Sequence, residues 1–189
     1  MKKIIPAVLL SFCISIVQAQ LQQIPIKQGL VLEYTVFPMG QVFPCTITLD
    51  TTATGNLSIA WKNESGRGGK YFVTRSALDS GTTAFWGPPN YDQEITLDAD
   101  QTMLVLSRKQ WKELQANGRV NFDGQFYARQ GAIGDNQLLI DGKPADAIFL
   151  QSESGETRIW VLNNATLPLL LKVDKNPFGV DLQIERVKK

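Results

Sequence analysis

The sequence predicts a mainly β fold: a curved antiparallel sheet, or half-barrel, of about ten strands with one short amphipathic helix. Three observations predict it. Apolar and polar residues alternate with a period of two along most of the chain. Turn-forming clusters punctuate these runs at short intervals, among them Pro38-Met39-Gly40, Asp123-Gly124, Asp141-Gly142 and Asn176-Pro177-Phe178-Gly179. Helical spacing with both caps occurs once, over Ser107 to Asn117. An antiparallel sheet of that size tends to curl or close.

The chain opens with Lys2 and Lys3, an apolar run from Ile4 to Val17, and Gln18-Ala19. A basic start, a short apolar stretch and a small residue before the cut are the pattern of a secretory leader, cleaved after Ala19. Residues 20–28 read as an extended polar lead-in and residues 29–189 as one β-rich domain, with no repeat and no linker. Cys13 raises the alternative of a lipidated leader. Its neighbour Phe12 is the wrong residue for that, because such sites favour a small side chain before the cysteine.

The strands follow in order. Leu30, Leu32, Tyr34 and Val36 share a face, with Glu33 and Thr35 opposite; Phe43, Cys45, Ile47 and Leu49 repeat the pattern, as do Leu57, Ile59 and Trp61. Tyr71 to Arg75 reads as a fourth strand. Asp79 to Asp92 is a long irregular connection holding Gly81, Phe85, Trp86, Gly87, Pro88 and Pro89, the kind of segment that carries function. Ile95 to Leu97 and Met103 to Leu106 are short strand candidates. Ser107 and Gln110 have capping-box spacing, Asn117-Gly118 is a helix stop, and Trp111 and Leu114 share the face that must dock. Strands resume at Val120–Phe122, Gln125–Ala128, Leu138–Ile140, Ala147–Gln151, Thr157–Leu162, Leu169–Val173 and Val180–Ile184.

Composition excludes several chemistries. The chain of 189 residues has no histidine, which removes Ser-His-Asp triads, Cys-His pairs and imidazole metal sites. Without the leader the charge is 17 basic against 18 acidic residues, so no charge-driven nucleic-acid or acidic-membrane binding is expected. After cleavage Cys45 is the lone cysteine, with no internal disulfide partner, and reads as a buried small hydrophobe. Beyond the leader no run reaches the 18 or so apolar residues of a membrane helix. The expectation is an exported monomer in the periplasm or outer envelope that uses no cofactor and no metal.

Other motifs are weak. Asp92, Glu94, Asp98 and Asp100 could serve as paired acid-base groups or as hard oxygen ligands, but no calcium-loop pattern is present and a solvated turn accounts for them. Gly66-Arg67-Gly68-Gly69-Lys70 lacks the spacing and the following helix of a phosphate loop.

The C-terminal half carries a resemblance. Asp141-Gly142-Lys143, the strand Arg158-Ile159-Trp160-Val161-Leu162, the stretch Leu167-Pro168-Leu169-Leu170-Leu171-Lys172-Val173 and a last strand with Gly179, Leu182 and Ile184 resemble the DUF3108-like exported bacterial proteins. Ser107-Arg108-Lys109 with Leu114 fits the same group, and the likeness covers roughly residues 103–186. The resemblance implies a half-barrel like that of periplasmic lipoprotein carriers, in which a curved sheet leaves an apolar concavity for acyl chains. It supplies no catalytic residue.

These readings converge on a non-enzymatic protein binding an apolar ligand, an acyl chain or a lipidated partner on a concave sheet face. The expected lining is Leu32, Tyr34, Ile47, Ile59, Trp61, Phe72 and Trp111, with Trp86 on the loop at the mouth. Ordinary core packing is the alternative for each aromatic. An envelope scaffold gripping a protein through an edge strand or the 79–92 loop is a second reading, and a carboxylate-based glycan hydrolase a third.

Overall fold

The structure, a computed structural model, describes residues 21–131 and 134–188. The leader, its cleavage site after Ala19 and Cys13 lie outside the described residues.

Four strands open the fold: β1 (Leu30–Pro38), β2 (Phe43–Thr51), β3 (Leu57–Asn63) and β4 (Gly68–Val73). Helix α1 (Arg75–Ser80) follows, then β5 (Thr83–Ala84), β6 (Glu94–Thr96), β7 (Gln101–Thr102) and helix α2 (Arg108–Asn117). The second half holds β8 (Arg119–Phe122), β9 (Gln125–Gln130), β10 (Leu139–Ile140), β11 (Lys143–Pro144), β12 (Ala147–Ser152), β13 (Arg158–Leu162), β14 (Leu170–Asp174) and β15 (Val180–Lys188). Eleven strands form one curved sheet in the order β6-β4-β3-β2-β1-β15-β14-β13-β12-β9-β8. First and last long strands therefore lie side by side at its centre, and a meander runs outward from each. The fold is mainly β, and among the described residues the sheet does not close into a barrel.

Several features depart from the sequence reading. The edge pair β4–β6 is parallel, so the sheet is mixed. A second helix, α1, takes Arg75 from the expected fourth strand, which ends at Val73, and reaches into the expected irregular connection at Asp79 and Ser80. Its N-cap is Thr74, whose hydroxyl accepts the Ala77 N–H at 3.2 Å. Six residues are too few to show a helical period, and the cap lacks the Glu or Gln that completes a box. In α2 the box is complete: Ser107 Oγ accepts the Gln110 N–H, Gln110 Oε1 accepts the Ser107 N–H, and Gly118 closes the helix at φ +65°. Of the Met103 to Leu106 strand, only a bridge from Val105 to Leu169 forms.

Register explains where the core sits. Leu30, Leu49, Ile59 and Tyr71 are cross-strand neighbours in one row, and Leu32, Ile47 and Trp61 make the next. All seven are buried and point to the concave face. The opposite face of these strands carries Thr46, Thr48, Lys62 and Lys70, so each strand has one dry side. The other arm differs. Phe149 and Trp160 are buried on the convex side, while Leu150, Ile159 and Val173 are buried on the concave side. The convex cover comes from the segment before β12, whose Asn136 carbonyl accepts the Trp160 indole N–H at 2.7 Å. The lead-in also docks: Ile24 is buried and Gln22 bridges to Ala145.

Candidate functional site

The connection from Gly81 to Asp92 crosses the concave side as a strap, and polar clamps hold both its ends. At the first end stands Asp123, in the β8–β9 turn. The turn needs positive φ at both central positions, and Asp123 (φ +51°) and Gly124 (φ +74°) supply it. That conformation aims the carboxylate at the strap. Asp123 Oδ1 accepts the Ala84 N–H at 2.6 Å and Oδ2 accepts the Trp86 indole N–H at 2.7 Å. Gln110, on α2, donates to the carbonyls of Thr82 and Asn121.

Asn90 is the clamp at the other end, and it is buried. Its Oδ1 accepts the Trp61 indole N–H at 3.0 Å, and its Nδ2 donates to the carbonyls of Lys70 and Gln93. The Tyr71 hydroxyl accepts the Asn90 N–H and donates to the Pro88 carbonyl, both at 3.0 Å. This close approach requires Gly69, because a Cβ there would sit 2.1 Å from the Asn90 carbonyl oxygen.

Under the strap lies an open cavity of about 350 Å³. Sheet residues Val36, Phe43, Cys45, Ile47, Trp61 and Leu182 form its floor and wall. Phe85 to Pro89 roof it, Met103 and Leu104 close one side, and Pro38, Met39, Phe178 and Val180 make the rim. No charged side chain lines it. It lies at one end of the concave face, where β1, β2 and β15 run out into their turns.

Of the residues expected to line a cavity, the structure brings three together there: Ile47, Trp61 and Trp86. Trp86 is half-buried, its ring edge-on to Phe122 at 6.4 Å. The others are corrected. Leu32 and Ile59 are fully buried, packed by other core side chains. Tyr34 is buried too, with its hydroxyl donating to the Leu170 carbonyl at 2.9 Å, and burial holds that hydroxyl far above the usual tyrosine range. Trp111 is buried on the docked face of α2. Phe72 is on the wrong face, because Tyr71 opposite Ile59 puts Phe72 opposite Ser58 on the convex side, where Lys70 lies 5.6 Å from its ring centre. Phe43, Phe85, Met103 and Phe178 were missed. Only tertiary contact collects them, although Phe43 continues the alternation of β2.

Burial raises the Asp123 carboxyl above the usual range, while the bonds from Trp86 and Ala84 pull it back in part. The sign follows by linkage. A carboxyl raised in the folded state contributes stability below its unfolded pKa of about 3.9, and that stability is lost as pH rises through the folded value. Wild type is therefore expected to gain stability relative to Asp123→Asn as pH falls from 7 toward 4. Urea unfolding of both proteins at the two pH values measures this, and a pH-independent difference counts against it.

The carboxylates Asp92, Glu94, Asp98 and Asp100 are all exposed and none lines the cavity. Arg67 pairs with Asp92 at 3.6 Å and Lys70 with Glu94 at 2.6 Å. Among the described residues no three potential metal-binding side chains of this kind cluster. The free edges are short: β6 has three residues, β8 four, and α2 occupies the Asn121 carbonyl of β8. Among the described residues no helix is long and apolar enough to cross a membrane. No family model, no curated protein and no solved structure matches the chain.

Proposed function

We propose that the protein is a non-enzymatic exported binder of one slender apolar ligand, foremost a single acyl chain, held in the cavity between the curved sheet and the strap. The observation that carries this reading is the cavity's composition: an apolar lining without a charged side chain, roofed by a segment clamped at both ends. Its volume is at the low end of the roughly 300–1,000 Å³ of ligand pockets, which suits one chain better than a bulky lipid held whole. The resemblance of the C-terminal half to DUF3108-like proteins and their carrier-like half-barrel supports the same class. A lipidated partner would enter by its acyl group.

Burial of each methylene is worth about 0.8 kcal/mol. Saturable binding of fluorescent fatty acids is expected, tightening about fourfold per added methylene until the cavity is full. Absence of saturable binding, together with no lipid in native mass spectra of protein taken from its own envelope, would overturn the reading.

Cys45 gives an independent readout. It lines the cavity, and burial pushes its thiol up to about 11, so the unreactive protonated form prevails at neutral pH. A thiol reagent is expected to react slowly with the folded protein and several-fold more slowly once fatty acid is bound. An unchanged rate at saturating ligand places the ligand elsewhere.

A further inference from the structure

We propose that the charge-poor end of the molecule around the cavity mouth docks on a lipid bilayer, so that the mouth opens onto the membrane surface. This rests on reading the cavity as an acyl site, and the experiment below separates the two.

Three large apolar side chains stand out at this end: Met39 is 80% exposed, Val42 68% and Phe178 50%. They sit on two turns, β1–β2 and β14–β15. The Met39 N–H donates to the Gly179 carbonyl at 2.7 Å, and a Cβ on Gly179 would lie 2.7 Å from Met39 Sδ, so the two tips form one platform. Met39 and Phe178 also belong to the cavity rim, which makes the exposed apolar surface continuous with the interior.

The distribution of charge identifies the occupant. One residue in five of this chain is charged. Yet Tyr34 to Leu49, Ser80 to Tyr91 and Asn176 to Val180 contain no Asp, Glu, Lys or Arg, and these are the stretches that supply most of the mouth. Of the charges that flank these stretches, Asp92 pairs with Arg67, Asp181 accepts the Asn176 N–H at 2.8 Å, and Lys175 is exposed. A protein partner is ordinarily met by a polar rim around an apolar centre. Here the three apolar side chains project from the joined tips without a charged rim, and Lys175, at the base of the second turn, is the one charge within either turn. That suits shallow insertion at the boundary of headgroups and acyl chains. Three side chains give weak, reversible attachment, as a protein that must leave the membrane with its cargo requires. The two turns carry one basic residue, the exposed Lys175 at the base of the second, so attachment depends little on anionic lipid.

The test is cosedimentation of the purified protein with phosphatidylcholine vesicles, alongside fatty-acid binding in solution. Wild type is expected to bind the vesicles, with no weakening as salt is raised. Val42 does not line the cavity, so Val42→Glu is expected to weaken vesicle binding about tenfold while leaving fatty-acid binding intact. Gln41→Glu, on the same turn, should act in the same direction. Fatty-acid binding without vesicle binding overturns the docking proposal and leaves the acyl site standing. Vesicle binding without fatty-acid uptake supports docking and removes the acyl site. Concentration-dependent dimers sensitive to Val42→Glu would instead assign this face to a second copy and overturn membrane docking.

Discussion

Asn90→Ala is expected to release the strap and to cost about 2–4 kcal/mol of stability, a large share of what a single domain has. The substitution leaves the Trp61 indole N–H without its acceptor and the Lys70 and Gln93 carbonyls without a side-chain donor, although the Gln93 carbonyl keeps the Lys70 N–H. An orphaned buried polar group costs roughly 1–3 kcal/mol, more than the net worth of the bond it lost. Asn90→Asp discriminates between shape and bonding. It preserves volume and the acceptor but replaces two donations with a charge that faces carbonyl oxygens, so it should destabilise at least as much. Urea midpoints followed by tryptophan fluorescence measure the loss. Fatty-acid release should quicken in parallel, because the roof at Phe85 to Pro89 hangs from this clamp. A stable Asn90→Ala protein with unchanged release kinetics would mean that the strap is held mainly by its own packing.

The sequence told more about the sheet than about the site. Alternation along Leu30, Leu32 and Tyr34 marked a true inner face, because a half-buried strand has to repeat every second residue. Asp123-Gly124 and Ser107 with Gln110 were legible for a similar reason: positive φ and capping geometry are set by residues a few positions apart. Pairing of β1 with β15 was not legible, since nothing local in either strand specifies a partner at the far end of the chain. Phe72 shows how a site goes wrong. Grouping it with Trp61 by aromatic character ignored parity, and parity is fixed only by the β3–β4 register. Asn90 was invisible for a deeper reason. Its role needs β3, β4 and the strap to meet, and an Asn after two prolines reads as an ordinary turn. The cavity lies at the end of the concave face and not over Leu32 and Ile59, which were expected to line it and are packed into the core.

Trp160→Ala tests the opposite arm, and the two variants together show whether site and scaffold are separable. Trp160 belongs to the stretch of β12 to β14 that is buried on both faces, which the near-continuous runs Ile148-Phe149-Leu150, Ile159-Trp160-Val161-Leu162 and Leu169-Leu170-Leu171 require. Its ring packs at a tilt against Phe149 with centroids 4.9 Å apart, the Lys172 ammonium lies 5.2 Å from the ring centre, and its indole N–H reaches the Asn136 carbonyl. Truncating a buried tryptophan costs about 3–5 kcal/mol, and here the covering segment before β12 also loses its anchor. A loss of that size is expected in urea unfolding, with faster proteolysis near residue 136. Trp160 faces away from the cavity, however, and shares no lining residue with it. Under conditions where the variant is still folded, fatty-acid affinity should therefore match wild type. Asn90→Ala also destabilises, but it adds a binding defect that persists in the folded protein. Equal binding defects in both would mean that the cavity's shape depends on the whole sheet, and that the strap does not act as a separate roof.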